Sequence, residues 1–262
     1  MFFFRAFKYL YYILTARHKK GHGINSPFVF DLIFRIFRNK TNPETVILIE
    51  SIRKKNRSDK RIIKVLDLGA GSVKMKKSLR KVSDIAGISA VPEKYGVLLS
   101  GLAAEFGKPD IVEFGTSLGF STMYLASGSP GSVVYTMEGC PATSEIAKEN
   151  FREAGIKNVR VLTGSFKDLI PELSKKAVKP GLIFIDGDHR KELLKDYFRQ
   201  MAGMAGKSTV IVIDDIHHSA EMEEAWDEIK QHEAVTFTVD IFRMGLVFFR
   251  QGMNHFNYVI RY

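Results

Sequence analysis

Cysteine is nearly missing from this chain of 262 residues: Cys140 stands alone. An internal disulfide is therefore excluded, and a reducing compartment is expected. No apolar run is long enough to span a bilayer. The most apolar stretch, Met1 to Leu14, is broken by Arg5 and Lys8 and is followed by no small-residue cleavage site, which argues against a secretory leader. Internal repeats and low-complexity tracts are also lacking. So is an acidic balance. Residues 1–110 carry 22 Lys and Arg against 9 Asp and Glu, whereas residues 111–262 carry 17 against 20. Positive charge confined to the first part suits a solvated basic face, or an anionic partner such as nucleic acid, a membrane surface or an acidic substrate. The aromatic, basic N-terminus suits an interfacial helix, a domain cap or a dimer contact. The expected location is cytoplasmic, or peripheral at the inner membrane surface.

The main signal is Asp110-Ile111-Val112-Glu113-Phe114-Gly115-Thr116-Ser117-Leu118-Gly119, followed by Val133-Val134-Tyr135-Thr136-Met137-Glu138. An apolar run ends in an acid, a glycine turn follows, and a second apolar run ends in another acid. Gly115 and Gly119 let a ligand approach the backbone with no Cβ in the way. The next helix offers unpaired N–H groups. Glu138 falls about 20 residues on, where a strand–turn–helix–strand unit places the acid that binds ribose hydroxyls. The dinucleotide pattern Gly-x-Gly-x-x-Gly is missing, because Ser117 stands where its middle glycine belongs. That argues against NAD and leaves room for a nucleoside without a pyrophosphate.

The pattern divides near residue 108. Helical segments are expected at 2–16, 27–38, 43–55 and 92–106. Strands at 110–114, 132–137, 158–162, 181–185 and 208–213 then alternate with helices at 119–128, 141–154, 165–175 and 190–204. Such alternation predicts a parallel sheet covered on both faces. A helix over 218–232 precedes two runs, 235–241 and 246–249, that suit a closing hairpin around Gly245. A second glycine element, Asp67-Leu68-Gly69-Ala70-Gly71-Ser72, is followed by Lys74, Lys76, Lys77, Arg80 and Lys81 rather than by a strand ending in an acid. It reads as a loop over the cofactor or acceptor site, with basic neighbours suited to an anionic acceptor.

From about residue 92 to 250 these elements, in this order, resemble the class I S-adenosylmethionine-dependent methyltransferases, and most closely the O-methyltransferases of the catechol and caffeoyl-CoA type. Glu113 to Thr122 resembles that group's first motif. Tyr135-Thr136-Met137-Glu138 is similar to its second strand end, and Gly164-Ser165-Phe166 to the loop near the adenine. Ile185-Asp186-Gly187-Asp188-His189 and Ile213-Asp214-Asp215 are similar to its fourth and fifth strand ends. The stretch Gly21 to Leu32 also resembles the start of uncharacterised methyltransferases of this type.

The resemblance implies an α/β, Rossmann-like, doubly wound sheet of about seven strands. This sheet would be mostly parallel, with an antiparallel closing hairpin. Residues 1–108 would form an N-terminal helical and basic extension, and residues 109–262 the cofactor-binding domain. Implied cofactor contacts are Glu113, Gly115, Thr116, Ser117, Gly119, Glu138, Gly139, Ser165, Phe166 and Asp186. Asp186, Asp214 and Asp215, at strand ends, suit a Mg²⁺ or Ca²⁺ site and equally suit helix caps. Asp215 stands where the family more often has Asn. His189, three positions after Asp186, would act with it as the catalytic pair, the imidazole serving as general base. His217 and His218 would line the mouth of the site.

The expected function is methyl transfer to oxygen of a small hydroxylated or anionic acceptor. Alternatives are an RNA or protein methyltransferase docking through its basic region, and a nucleoside-binding or membrane-surface protein without catalysis. A homodimer is compatible with the N-terminal aromatics.

Overall fold

The computed structural model describes residues 2–16, 24, 26–37, 41–66, 79–88, 90–250, 252 and 255–262. The glycine element Asp67–Ser72, with Lys74, Lys76 and Lys77, lies outside them, as do Gly21 to Gly23 and Asn25. In chain order the elements begin with helices α1 (Phe2–Thr15), α2 (Pro27–Phe37) and α3 (Pro43–Arg57), a short pair β1 (Ile62–Lys64) and β2 (Leu79–Lys81), and helices α4 (Val82–Ile88) and α5 (Glu93–Phe106). Then come β3 (Asp110–Phe114), α6 (Phe120–Gly128), β4 (Val133–Glu138), α7 (Pro141–Glu153), β5 (Val159–Thr163), α8 (Phe166–Lys175), β6 (Pro180–Ile185), α9 (Lys191–Met204), β7 (Val210–Ile213) and α10 (Ala220–Lys230). The last three strands are β8 (Phe237–Asp240), β9 (Gly245–Phe248) and β10 (Phe256–Val259). The fold is α/β and Rossmann-like.

The chain forms two compact units, residues 39–180 and residues 1–38 with 181–262. In the first, β3, β4 and β5 run parallel in that order. Their apolar residues, among them Ile111, Val112, Phe114, Val134 and Met137, are fully buried, as expected of parallel strands covered by helices. Helices α5 and α6 pass close together. A Cβ at Gly128 would lie 2.2 Å from the Ser100 carbonyl oxygen, and one at Gly96 would lie 2.4 Å from the Tyr124 ring. Each additional methyl in such a contact costs about 1–3 kcal/mol. Ser165 begins α8 by accepting from the Asp168 amide, a cap worth about 1 kcal/mol.

In the second unit the strand order is β10-β8-β9-β7-β6. Strands β6 and β7 are parallel, and β8 and β9 form the expected antiparallel hairpin. Strand β10 was not expected; it pairs parallel with β8 and is the fifth strand of this unit. Gly245 is required at the start of β9 because Trp226 of α10 packs on it, 2.6 Å from the position of a Cβ. Helix α1 is fastened to the C-terminal segment, where the Tyr12 hydroxyl donates to the Ile260 carbonyl and accepts from the Tyr262 amide.

Candidate active site

The unit of residues 39–180 gathers the predicted nucleoside-binding residues at the carboxyl ends of β3, β4 and β5. After β3 the backbone turns through left-handed conformations at Gly115 (φ 93°), Ser117 (φ 47°) and Gly119 (φ 85°). The turn is tied down on three sides. The Gly115 and Thr116 amides donate to the Met137 carbonyl at 3.0 and 3.1 Å. The Ser117 amide donates to Glu138 Oε2 at 2.7 Å, while the Cys140 amide donates to Glu138 Oε1 at 2.9 Å. Asn150 of α7 donates to the Leu118 carbonyl at 2.8 Å and is paired with Asn56 of α3, both amides being buried. Gly119 admits no side chain, since a Cβ would come within 2.4 Å of the Phe151 ring. Gly139 follows directly on Glu138 before α7.

Glu113 is wholly buried beneath this turn. Thr122 and Thr136 donate their hydroxyls to its Oε2, and Oε1 has no hydrogen-bond partner. Burial pushes its carboxyl up to about 7, opposed by the nearby hydroxyls of Ser121, Thr122 and Thr136. An acid in that state holds a proton under mildly acidic conditions and can then donate. Ser165 and Phe166 are half-buried after β5, and the Phe166 ring meets Phe114 edge-on at 5.2 Å. A different concavity of about 640 Å³, lined by Tyr135, Phe151, Arg152 and Val161 among others, includes none of the predicted site residues.

The other predicted residues belong to the second unit. Asp186 follows β6, and Asp214 and Asp215 follow β7. Asp214 is fully buried, and both of its oxygens are taken by Arg243, with Nη2 to Oδ2 at 2.6 Å and Nε to Oδ1 at 2.9 Å. Burial pushes the Asp214 carboxyl up, reinforced by Asp215 and opposed by Arg243. Burial also works against the Arg243 charge, but Asp214 holds that guanidinium above its ordinary value. Asp215 lies in a left-handed conformation (φ 54°), 3.6 Å from Arg5 and 3.8 Å from His218. Asp188 is held by Arg190.

The three expected metal ligands thus lie at the ends of β6 and β7, with Asp214 paired to Arg243. Arg243 already bonds both oxygens of Asp214, so a divalent cation at these carboxylates would have to displace or sit beside a guanidinium. Among the described residues no group of three or more His, Cys, Asp or Glu is arranged to hold a metal. The histidines are paired instead. The His189 and His218 rings stack at 5.5 Å, and burial lowers the His218 pKa. His217 Nε2 meets Asp240 Oδ2 at 2.8 Å, and Asp240 Oδ1 accepts from the Phe242 amide. Arg243, Asn56 and Asn150 escaped the sequence reading because no motif marks them; each acts on a partner 29 or more residues away.

Residues 112–216 match a family described as a methyltransferase domain. Catechol O-methyltransferase of Mycobacterium tuberculosis is 35% identical over 129 residues, which cover 48% of this chain and 57% of that protein. The "Putative O-methyltransferase" of Mycobacterium ulcerans is 30% identical over 172 residues, covering 63% of this chain and 74% of that one. The chain belongs to the class I S-adenosylmethionine-dependent O-methyltransferases. It spans somewhat over half the length of the catechol O-methyltransferases of M. tuberculosis and Niastella koreensis. The fold of the family recurs in cofactor-bound Rv0187 from MTB (TM-score 0.58, 20% identity, 85% of this chain and 97% of that one). It recurs also in the O-methyltransferase from Bacillus cereus in complex with SAH (TM-score 0.56, 20% identity, 84% and 97%).

Proposed function

We propose that this protein transfers the methyl group of S-adenosylmethionine to an oxygen of a small hydroxylated acceptor. The observation that carries the reading is the contact between the Ser117 amide and Glu138, which holds a carboxylate at the glycine turn. Glu138 accepts from both ribose hydroxyls, Ser165 and Phe166 border the adenine, and the turn from Gly115 to Gly119 receives the methionine portion. Charged acceptors make the stronger hydrogen bonds, which suits a carboxylate for the diol. When bound, the sulfonium supplies an electrophilic methyl group, so that one carbon–oxygen bond forms as one carbon–sulfur bond breaks.

The chain's own part is alignment, exclusion of water and removal of one proton. We assign the proton to His189, with Asp186 beside it in sequence, and route no step through a metal. The relatives named for catechol support an aromatic acceptor bearing a hydroxyl. We assign cofactor binding to residues 109–262 and treat residues 1–108 as an extension. Incubation with methyl-labelled S-adenosylmethionine and a panel of phenols and catechols tests this reading. Label should enter the aromatic product, and His189→Ala should lower kcat with little change in cofactor affinity. No transfer to any hydroxylated acceptor by a protein that binds the cofactor would contradict it.

A further inference from the structure

Helix α1 is held on its unit with an apolar side outward. Its two cations point inward: Arg5 lies 3.6 Å from Asp215, and Lys8 lies 2.7 Å from Glu223. Tyr9 meets the Phe242 ring at 4.9 Å, Tyr12 is buried, and Arg261 donates to the Ile13 carbonyl. The opposite side carries Phe7, Leu10, Tyr11 and Leu14, exposed by 70%, 58%, 60% and 76%. Spacings of three, four and seven residues place these four on one stripe of a helix. Phe30 and Phe34 of α2, in the same unit, are also exposed and stack at 6.3 Å. A contiguous outward apolar stripe on a helix fixed at so many points marks a docking surface rather than scattered exposure.

We propose that this stripe seats α1 on an anionic lipid surface. Charge selects that occupant. The first 40 residues contain eight Lys and Arg and one acid, Asp31; Arg5, Lys8 and Arg35 are paired with acids, and the sequence adds five further cations. A second copy docking through the same face would bring two such segments together, and like charges would oppose it. An anionic headgroup layer attracts them instead. The stripe offers Phe, Leu and Tyr, the residue types that enter the headgroup–acyl boundary, and sequence places Arg17, Lys19 and Lys20 just after the helix. Because Arg5 and Lys8 are already paired within the protein, burying the stripe does not leave them without counter-charges. None of the helices among the described residues is long and apolar enough to cross a membrane, so the contact is a surface one.

The test is co-sedimentation of the full chain with vesicles of phosphatidylcholine alone, and of phosphatidylcholine and phosphatidylglycerol mixed two to one. Binding is expected to the mixed vesicles and to weaken as salt rises. The triple variant Phe7→Ser, Leu10→Ser, Leu14→Ser should bind on the order of tenfold more weakly or worse, with unchanged far-ultraviolet circular dichroism. Leu14→Glu alone, at the most exposed of the four positions, should also weaken binding and keeps the test open if the triple variant misfolds. Absence of binding to the mixed vesicles overturns the proposal. So does equal, salt-insensitive binding to both kinds. A dimer in sedimentation velocity that the triple variant dissolves would assign the stripe to a second copy and overturn it as well.

Discussion

The Ser117 amide and the Glu138 carboxylate meet at 2.7 Å across 21 positions of sequence. The contact joins the bend after β3 to the end of β4. It holds Ser117 in a left-handed conformation that a residue with a Cβ occupies at a cost of about 1–2 kcal/mol. The same carboxylate accepts from the Cys140 amide at the start of α7. One side chain thus fixes the turn and the strand end that the proposed cofactor must touch together.

Gly119→Ala should destabilise the protein by roughly 2–4 kcal/mol. Its left-handed backbone and the 2.4 Å approach of a Cβ to Phe151 both contribute. Urea unfolding measures the loss. The double variant with Phe151→Leu should recover the steric part and leave the backbone part.

Glu113 makes stability fall as pH rises. Its carboxyl is raised from 4.5 to about 7 in the folded state, first by burial. Protonated Glu113 therefore favours folding below 4.5, and that benefit is lost as pH climbs through 7. The linked loss is about 3 kcal/mol. His218, depressed by burial, has the opposite sign: its contribution is present above the ordinary histidine value of 6.5 and is lost as pH falls. Comparing wild type with Glu113→Gln cancels the histidine. The variant should unfold at higher urea than wild type at pH 8 and lack the Glu113 slope between pH 4.5 and 7.

Asn150→Ala should weaken cofactor binding without touching the cofactor. It removes the donor to the Leu118 carbonyl and unpairs the buried Asn56 amide. Roughly 1–3 kcal/mol of stability should go with it. Calorimetry with S-adenosylmethionine should show lower affinity. Unchanged affinity at reduced stability would make the amide pair purely a core feature.

Mg²⁺ or Ca²⁺ titrated into the protein should give no saturable heat, because Arg243 already pairs with Asp214. Saturable binding that Asp214→Asn abolishes would contradict this. Arg243→Met should cost about 3–5 kcal/mol by leaving a buried carboxylate unpaired.

Local pattern made much of this legible. Apolar runs ending in Glu113, Glu138 and Asp214 located β3, β4 and β7, because parallel strands buried on both faces are apolar throughout. Glycines at 115 and 119 located the turn, because their backbone conformations are left-handed. Long-range pairing was hidden. Arg5 and Lys8 of the aromatic, basic N-terminus are paired to Asp215 and Glu223, more than 200 residues away. The pairing of Asp214 with Arg243, 29 residues later, was hidden in the same way. Strand β10 has the exposed residues Phe256 and Asn257 and a short span, so periodicity could not single it out.

Titration calorimetry of S-adenosylmethionine into wild type, Glu138→Gln and Glu138→Ala tests the central assignment. Loss of a charged acceptor to two hydroxyls predicts affinity roughly 100-fold lower or worse for Glu138→Ala, with Glu138→Gln intermediate because its amide oxygen still accepts from Ser117. Equal affinity across the three proteins would contradict the account.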